Sequence, residues 1–193
     1  MSYEVLTHPH LDDIEFVVKF DGDGQHKLHL LPKVVGHLAD GQDLVICSRF
    51  HPHSDQTNTP TDRILLNMLF TEMVRKITSW KLTDVRSGYM GFPARYARLL
   101  GTHLIVSRYG VPMEIILRLW NANATRVKDI PHPALYGPNI SKKLKEKYST
   151  ETISSQADRL QMAYEALLTV IQDLQIPREL ILEVNGFAKT KCA

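Results

Sequence analysis

Cysteine is nearly absent from this chain: Cys47 lies in an apolar run, Cys192 is the penultimate residue, and there is no third. A disulfide framework is therefore excluded as the basis of the fold, and two reduced thiols in a cytosolic protein are expected. No apolar run approaches the roughly 20 residues of a membrane-spanning helix. The opening MSYEVLTHPHLDD lacks the charged-then-apolar pattern of a secretory signal. Excess charge is missing as well. Lys and Arg number 23 against 21 Asp and Glu, with no dense basic block, so nucleic acid is not an expected partner. A GxSxG elbow, a P-loop and a GxGxxG fingerprint are all absent, as are internal repeats and low-complexity segments. What remains is a chain of 193 residues with ordinary apolar content, enough for one domain with a buried core. The expected location is cytoplasmic, with a peripheral place at the inner membrane face left open.

Hydrophobic periodicity orders the chain. Glu15 to Phe20 is a β-rich run ending at Asp-Gly, a strand and a turn. Leu28, Leu31, Val34, Val35 and Leu38 recur at helical spacing, which predicts a helix over His29 to Asp40, stopped by Gly41. Asp43 to Phe50 reads as a second buried strand. Strand, helix, strand implies parallel pairing through a right-handed crossover. Ligands of open α/β sheets bind beyond the carboxyl ends of the strands, which places the residues after Phe20 and after Cys47 on one rim.

His51 to Pro60 is a polar loop. Thr61 to Trp80 is predicted helical, with apolar residues at 64, 65, 68, 69, 73, 74 and 77. The segment LTDVRSGYMGFPARY reads as irregular, followed by a short helix near Ala94 to Leu100. Val111 to Trp120 is predicted helical, TRVKDIPHPALY a late strand, Gly137 to Lys147 a basic loop, and Ser154 to Leu174 a long amphipathic helix before a tail over Pro177 to Ala193.

Asp21, Asp23, Gln25 and His26 fall within six residues, spaced by Gly22 and Gly24. Two carboxylates so placed can share one Mg²⁺ or Mn²⁺, with Gln25 adding a carbonyl oxygen. Such an ion keeps positions open for phosphates and neutralises a diphosphate leaving group. The same residue types also make an ordinary acidic turn, and the strand-end position favours the ligand site. Arg49 and Arg63 are candidate phosphate contacts, because a guanidinium fork matches phosphate oxygens, with a solvated or ion-paired surface role as the alternative. Asp84, Arg86 and Ser87 precede GYMGF, whose glycines suggest close backbone approach. Ser141 and Lys142 could hold an anion or lie on a solvated basic face. The histidines of HPHLDD and of His51 to His53 could ligate zinc. HPHLDD resembles the His-Pro-Asp-Asp start of zinc-dependent sugar deacetylases, but His10 and Leu11 interrupt the pattern.

Six segments in order, VVKFDGDGQH, GQDLVICSRF, DR…N, TDVRSGYMGF, VPMEIILR and DIPHPALYGPNISK, together resemble the second half of a family 2 glycosyltransferase. The similar branch is that of dolichyl-phosphate mannose synthases and related polyprenyl-phosphate sugar transferases, and the resemblance runs from Glu15 to Lys147. It implies a partial GT-A-type fold, an α/β Rossmann-like mixed sheet with flanking helices and a long C-terminal helix. It also implies a divalent metal, Mg²⁺ or Mn²⁺, and a nucleotide-sugar donor. Asp21 and Asp23 match the family's Asp-x-Asp site for metal and diphosphate, with Gln25 a further ligand. Arg49, after Ser48, and Arg63 match positions that contact the acceptor phosphate. Asn67 stands where that branch often has serine, which keeps a glycan acceptor open beside polyprenyl phosphate. Asp84, Ser87 and Gly88 match the segment lining the acceptor pocket, and Glu114 matches the acidic residue of a Pro-x-Glu helix start. Ser141 and Lys142 match a Gly-x-Ser-Lys loop that is stretched here.

The strand-helix units that hold base and ribose in the family find no match in this sequence. Two parts are therefore expected: residues 1–150 as the metal and acceptor side of a glycosyltransferase domain, and residues 151–193 as a C-terminal helix and tail. Three functions follow. One is a catalytic fragment for cell-envelope polysaccharide synthesis, in which Asp84 would serve as base for a hydroxyl acceptor, with a separate amino-terminal half or a homo-oligomer completing it. The second is a non-catalytic assembly subunit. The third is a zinc hydrolase.

Overall fold

A computed structural model describes residues 13–135, save 23, 58, 102, 103, 108 and 109, and residues 156–180, save 178. The expected strands form where the β-rich runs stand: β1, Phe16–Lys19, and β2, Leu44–Ser48, joined through a short 3-10 turn and α1, Leu31–Ala39. Next come α2, Thr61–Thr78, β3, Met90–Pro93, α3, Ala94–Gly101, α4, Val111–Asn121, β4, Val127–Pro131, and α5, Gln156–Asp173. The class is α/β, a mixed four-stranded sheet flanked by helices, with a long helix toward the C-terminus.

Strand order is β1-β3-β2-β4. β3 runs antiparallel to both β1 and β2, and β4 runs parallel to β2. This corrects the expected direct pairing of β1 with β2. They do point the same way, but β3 lies between them. Its sequence, MGFP, carries a glycine and a proline beside Phe92, so its local strand signal is weak. Hydrogen bonding on both sides makes it a strand. Gly91 adds to the fit, since a Cβ there would come within 2.7 Å of Val34 and 3.0 Å of Leu38, so the missing side chain lets α1 lie close on the sheet.

The pleat divides the core in two. Leu44 and Ile46 of β2 face the larger cluster with Phe70, Met73, Val74, Ile115, Ile116 and Leu119. Val45 and Cys47 face a smaller one with Val34 and Leu38 of α1. Such alternation follows from side chains projecting to opposite faces of a strand. On α2 the buried apolar residues are Leu66, Phe70, Met73, Val74 and Ile77, one stripe at helical spacing. Leu65 and Met68, expected on the core face, are 61% and 55% exposed, because they belong to the neighbouring face of the helix. Ala163, Leu167, Val170 and Ile171 of α5 enter the larger core, so this helix packs on the sheet domain itself. Among the described residues, no helix is long and apolar enough to cross a membrane.

The topology decides where chemistry can gather. β1, β2 and β4 all end on one rim, where β3 begins. Ser48 is in register with Pro131, Lys19 with Met90, and the Cys47 amide donates to the Tyr89 carbonyl at 2.9 Å.

Candidate functional site

Four chain segments meet on this rim: 19–27 after β1, 48–54 after β2, 83–89 before β3 and 132–135 after β4. The first is pinned at several points. His26 Nδ1 accepts the Asp21 amide at 2.8 Å, His132 Nε2 accepts the Lys27 amide at 3.2 Å, and Gln25 Nε2 donates to the Leu135 carbonyl at 3.0 Å. Lys19 Nζ donates to the Gly88 carbonyl at 3.2 Å and to Asp21 Oδ1 at 3.4 Å. The Asp21 carboxylate is thereby held on the outside of the rim, with its side chain 55% exposed. Gly88 lies directly behind it, and any Cβ there would run into that carboxylate.

On the second segment, Arg49 meets Asp84 in a two-pronged ion pair, Nε to Oδ2 at 2.7 Å and Nη2 to Oδ1 at 3.0 Å. Asp84 is fully buried and also accepts the amides of Arg49 and Arg86, each at 3.1 Å. Four donors on one carboxylate compensate its removal from water and fix the plane of the guanidinium. Ser87 Oγ donates to the Cys47 carbonyl at 2.8 Å, which clips the third segment to β2.

Burial sets two protonation states here. Desolvation lowers His132 to about 4, with His26 as a further cause, so the ring is neutral and can accept the Lys27 amide. Desolvation raises Asp129 on β4 to about 6 against two lowering hydrogen bonds from Thr83, and Asp84 adds to the rise.

Of the residues singled out from the sequence, Asp21, Gln25, Ser48, Arg49, Asp84, Ser87 and Gly88 are thus brought together. Arg63 stands in the first turn of α2 with Asp62 3.9 Å away. Asn67 is buried on the same helix and donates from Nδ2 to the Thr83 carbonyl at 2.9 Å. Glu114 is bound elsewhere: its carboxylate accepts the amides of Ile105 and Val106 and Arg118 Nε, and Arg118 continues to Asp173 of α5. These partners give it the role of tying α4 to its preceding segment. Asp23, Ser141 and Lys142 lie outside the described residues, as do the HPH of HPHLDD and the basic loop. Lys19, Thr83, Asp129 and His132 escaped the sequence reading. Their signal is the strand register, β1 on β3 for Lys19 and β4 on β2 for the others, which a single sequence does not display.

The implied metal can be tested against these side chains. Among the described residues, no group of three His, Cys, Asp or Glu could hold an ion by itself. Mg²⁺ asks for less: one or two carboxylates, with water and substrate phosphates completing the shell. An exposed carboxylate on the open rim, backed by a glycine, fits that demand. A zinc site would need several protein ligands. His51 and His53 stand with ring centroids 5.4 Å apart but belong to no such group of three.

No family model matches the chain. Over 105 residues it is 30% identical to the undecaprenyl-phosphate mannosyltransferase of Micrococcus luteus, covering 54% of this chain and 43% of that protein. Over 123 residues it is 24% identical to the UDP-N-acetylglucosamine–dolichyl-phosphate N-acetylglucosaminyltransferase of Methanococcus voltae, covering 63% and 49%. An uncharacterized protein of Methanocaldococcus jannaschii is 28% identical over 123 residues, covering 63% and 50%. The relatives with a named activity are glycosyltransferases, and the chain spans about half the length of the curated relatives it matches.

Proposed function

We propose that this chain carries the diphosphate and acceptor side of a glycosyltransferase that moves a sugar from a nucleotide diphosphate to a polyprenyl phosphate. The observation that carries the reading is the reach of one short segment. Asp84 at its start holds Arg49, and Gly88 at its end backs Asp21, so a basic and an acidic group are fixed on the same rim by five consecutive residues. Names of the relatives support the substrate class, since both contain a polyprenyl phosphate.

In this reading Asp21, with Asp23 and Gln25, would hold Mg²⁺ or Mn²⁺, which when bound neutralises the charge growing on the departing diphosphate. Arg49 presents positive charge to the acceptor phosphate, with Arg63 and Lys142 as further contacts. Asp84 acts as the group that orients Arg49. With four donors already on it, its carboxylate is poorly placed to take a proton from a hydroxyl. A phosphate acceptor needs no such base, and this favours polyprenyl phosphate over a glycan.

Isothermal titration tests the proposal with two probes, farnesyl phosphate and UDP or GDP with Mn²⁺. The wild-type chain is expected to bind both. Arg49→Lys should weaken farnesyl phosphate about tenfold, the value of a charge-assisted contact. Asp21→Asn should weaken only the Mn²⁺-dependent nucleotide. Absence of both bindings would sink the reading. A second reading is an assembly subunit that holds a phosphate ligand through Arg49 without transferring a sugar. Farnesyl phosphate binding without any metal-dependent nucleotide binding would support it.

A further inference from the structure

Beneath the Arg49–Asp84 pair lies a second connection between the same two segments, made of side chains that the proposed chemistry does not use. Asp129 Oδ2 accepts both the amide and the hydroxyl of Thr83, each at 2.6 Å. Since the Thr83 hydroxyl gives its proton to the carboxylate, its oxygen can only accept from Ser48 Oγ, 2.6 Å away. Ser48 Oγ in turn accepts the Phe50 amide at 3.2 Å. Every proton in the chain Ser48, Thr83, Asp129 therefore has one direction, and a hydrogen-bonded chain ending on a carboxylate strengthens each member. Asn67 holds Thr83 from the other side through its carbonyl. Thr83 is gripped at its nitrogen, its carbonyl oxygen and its hydroxyl.

Residue 83 precedes Asp84, and residue 48 precedes Arg49. Two rungs thus join neighbouring positions of the two segments: a hydroxyl rung from 48 to 83 and an ionic rung from 49 to 84. The inner rung brings the neighbouring residues opposite each other: with residues 48 and 83 held together, Arg49 and Asp84 stand at the distance where the two-pronged pair and the hydrogen bond from the Arg49 amide to Asp84 form. We propose that Thr83 and Asp129 are positioning residues, which through Ser48 and Asp84 set the orientation of the Arg49 guanidinium on the rim. The inference deepens the acceptor reading and rests on it for what Arg49 meets, but not for how Arg49 is held.

The test is NMR of the full chain, following the Arg49 Nε–H resonance, assigned by its loss in Arg49→Lys, together with farnesyl phosphate affinity. In the wild type that proton should be slow to exchange and shifted by Asp84. Thr83→Val removes the hydroxyl rung while keeping shape. It should move the resonance toward the position seen in Asp84→Asn, and weaken farnesyl phosphate about fivefold, the value of one hydrogen bond. Thr83→Ser should restore both. Asp129→Asn keeps an acceptor for Thr83 and should retain the resonance, whereas Asp129→Ala should lose it. An unchanged Arg49 resonance in a folded Thr83→Val protein would overturn the inference. If the wild type binds no farnesyl phosphate, the acceptor reading fails alone, because the resonance still decides whether Thr83 and Asp129 set Arg49.

Discussion

Asp129 and His132 stand three residues apart around the end of β4, and burial pushes their proton equilibria in opposite directions. Asp129 binds its proton at about 6 in the folded chain against an ordinary 3.8. Between these values the folded state holds more protons than the unfolded one, so this residue's contribution to stability rises as pH falls through 6 toward 4. His132 sits at about 4 against 6.5, so its unfolded form takes up the proton first and its contribution is lost as pH falls from 6.5 toward 4. Urea denaturation at a series of pH values separates them. The stability of wild type minus Asp129→Asn should increase as pH drops from 7 to 4, while wild type minus His132→Gln should decrease. Each change is up to about 3 kcal/mol. Curves that stay parallel would show that neither group titrates as its burial dictates. Neither residue stood out in the sequence, where DIPHP reads as a strand ending in prolines. Their importance comes from what β4 lies beside, not from their neighbours in the chain.

Among the elements, α2 separates what periodicity can and cannot reveal. Its existence and its bounds follow from the apolar recurrence over Thr61 to Trp80, and the helix is there. The face was misjudged, because Leu65 and Met68 extend the apolar count without belonging to the stripe that meets the sheet. Replacing both by Glu should change stability by no more than about 0.5 kcal/mol, as for exposed positions in general. Phe70→Ala, by contrast, should cost about 3–5 kcal/mol, since it empties a site in the main core. Equal losses in the two variants, measured by chemical denaturation, would mean that the outer face is covered. β3 shows the complementary limit. Four residues containing Gly91 and Pro93 beside a single strand-former, Phe92, carry too little propensity to stand out, and the two partners of β3 define it.

For the molecule as a whole, residue type and place picked out some of the charges on the rim and missed others, Lys19 at the end of β1 among them. Asp21, Arg49 and Asp84 were singled out from residue type and place, and they do gather on one rim. Glu114 was singled out in the same way, yet its carboxylate serves the segment before α4. A lone acidic residue at a helix start looks the same in sequence whether it meets a ligand or a backbone amide. The four segments of the rim come from residues 19 to 135, so no local window could have displayed their meeting.

The place of β3 between β1 and β2 also governs the order in which this molecule can be made. Phe16 and Pro93, partners across the β1–β3 ladder, lie 77 residues apart in the chain. A growing polypeptide that has released β1, α1 and β2 still lacks the strand that joins them, and closing so long a loop is slow because its entropy is lost before contacts compensate. The acidic and basic sides of the rim are therefore expected to form together. In stopped-flow refolding, amide protection at Val18 and at Ile46 should appear in one phase, together with protection at Met90. Early protection of β2 alone would show that the two halves can form apart.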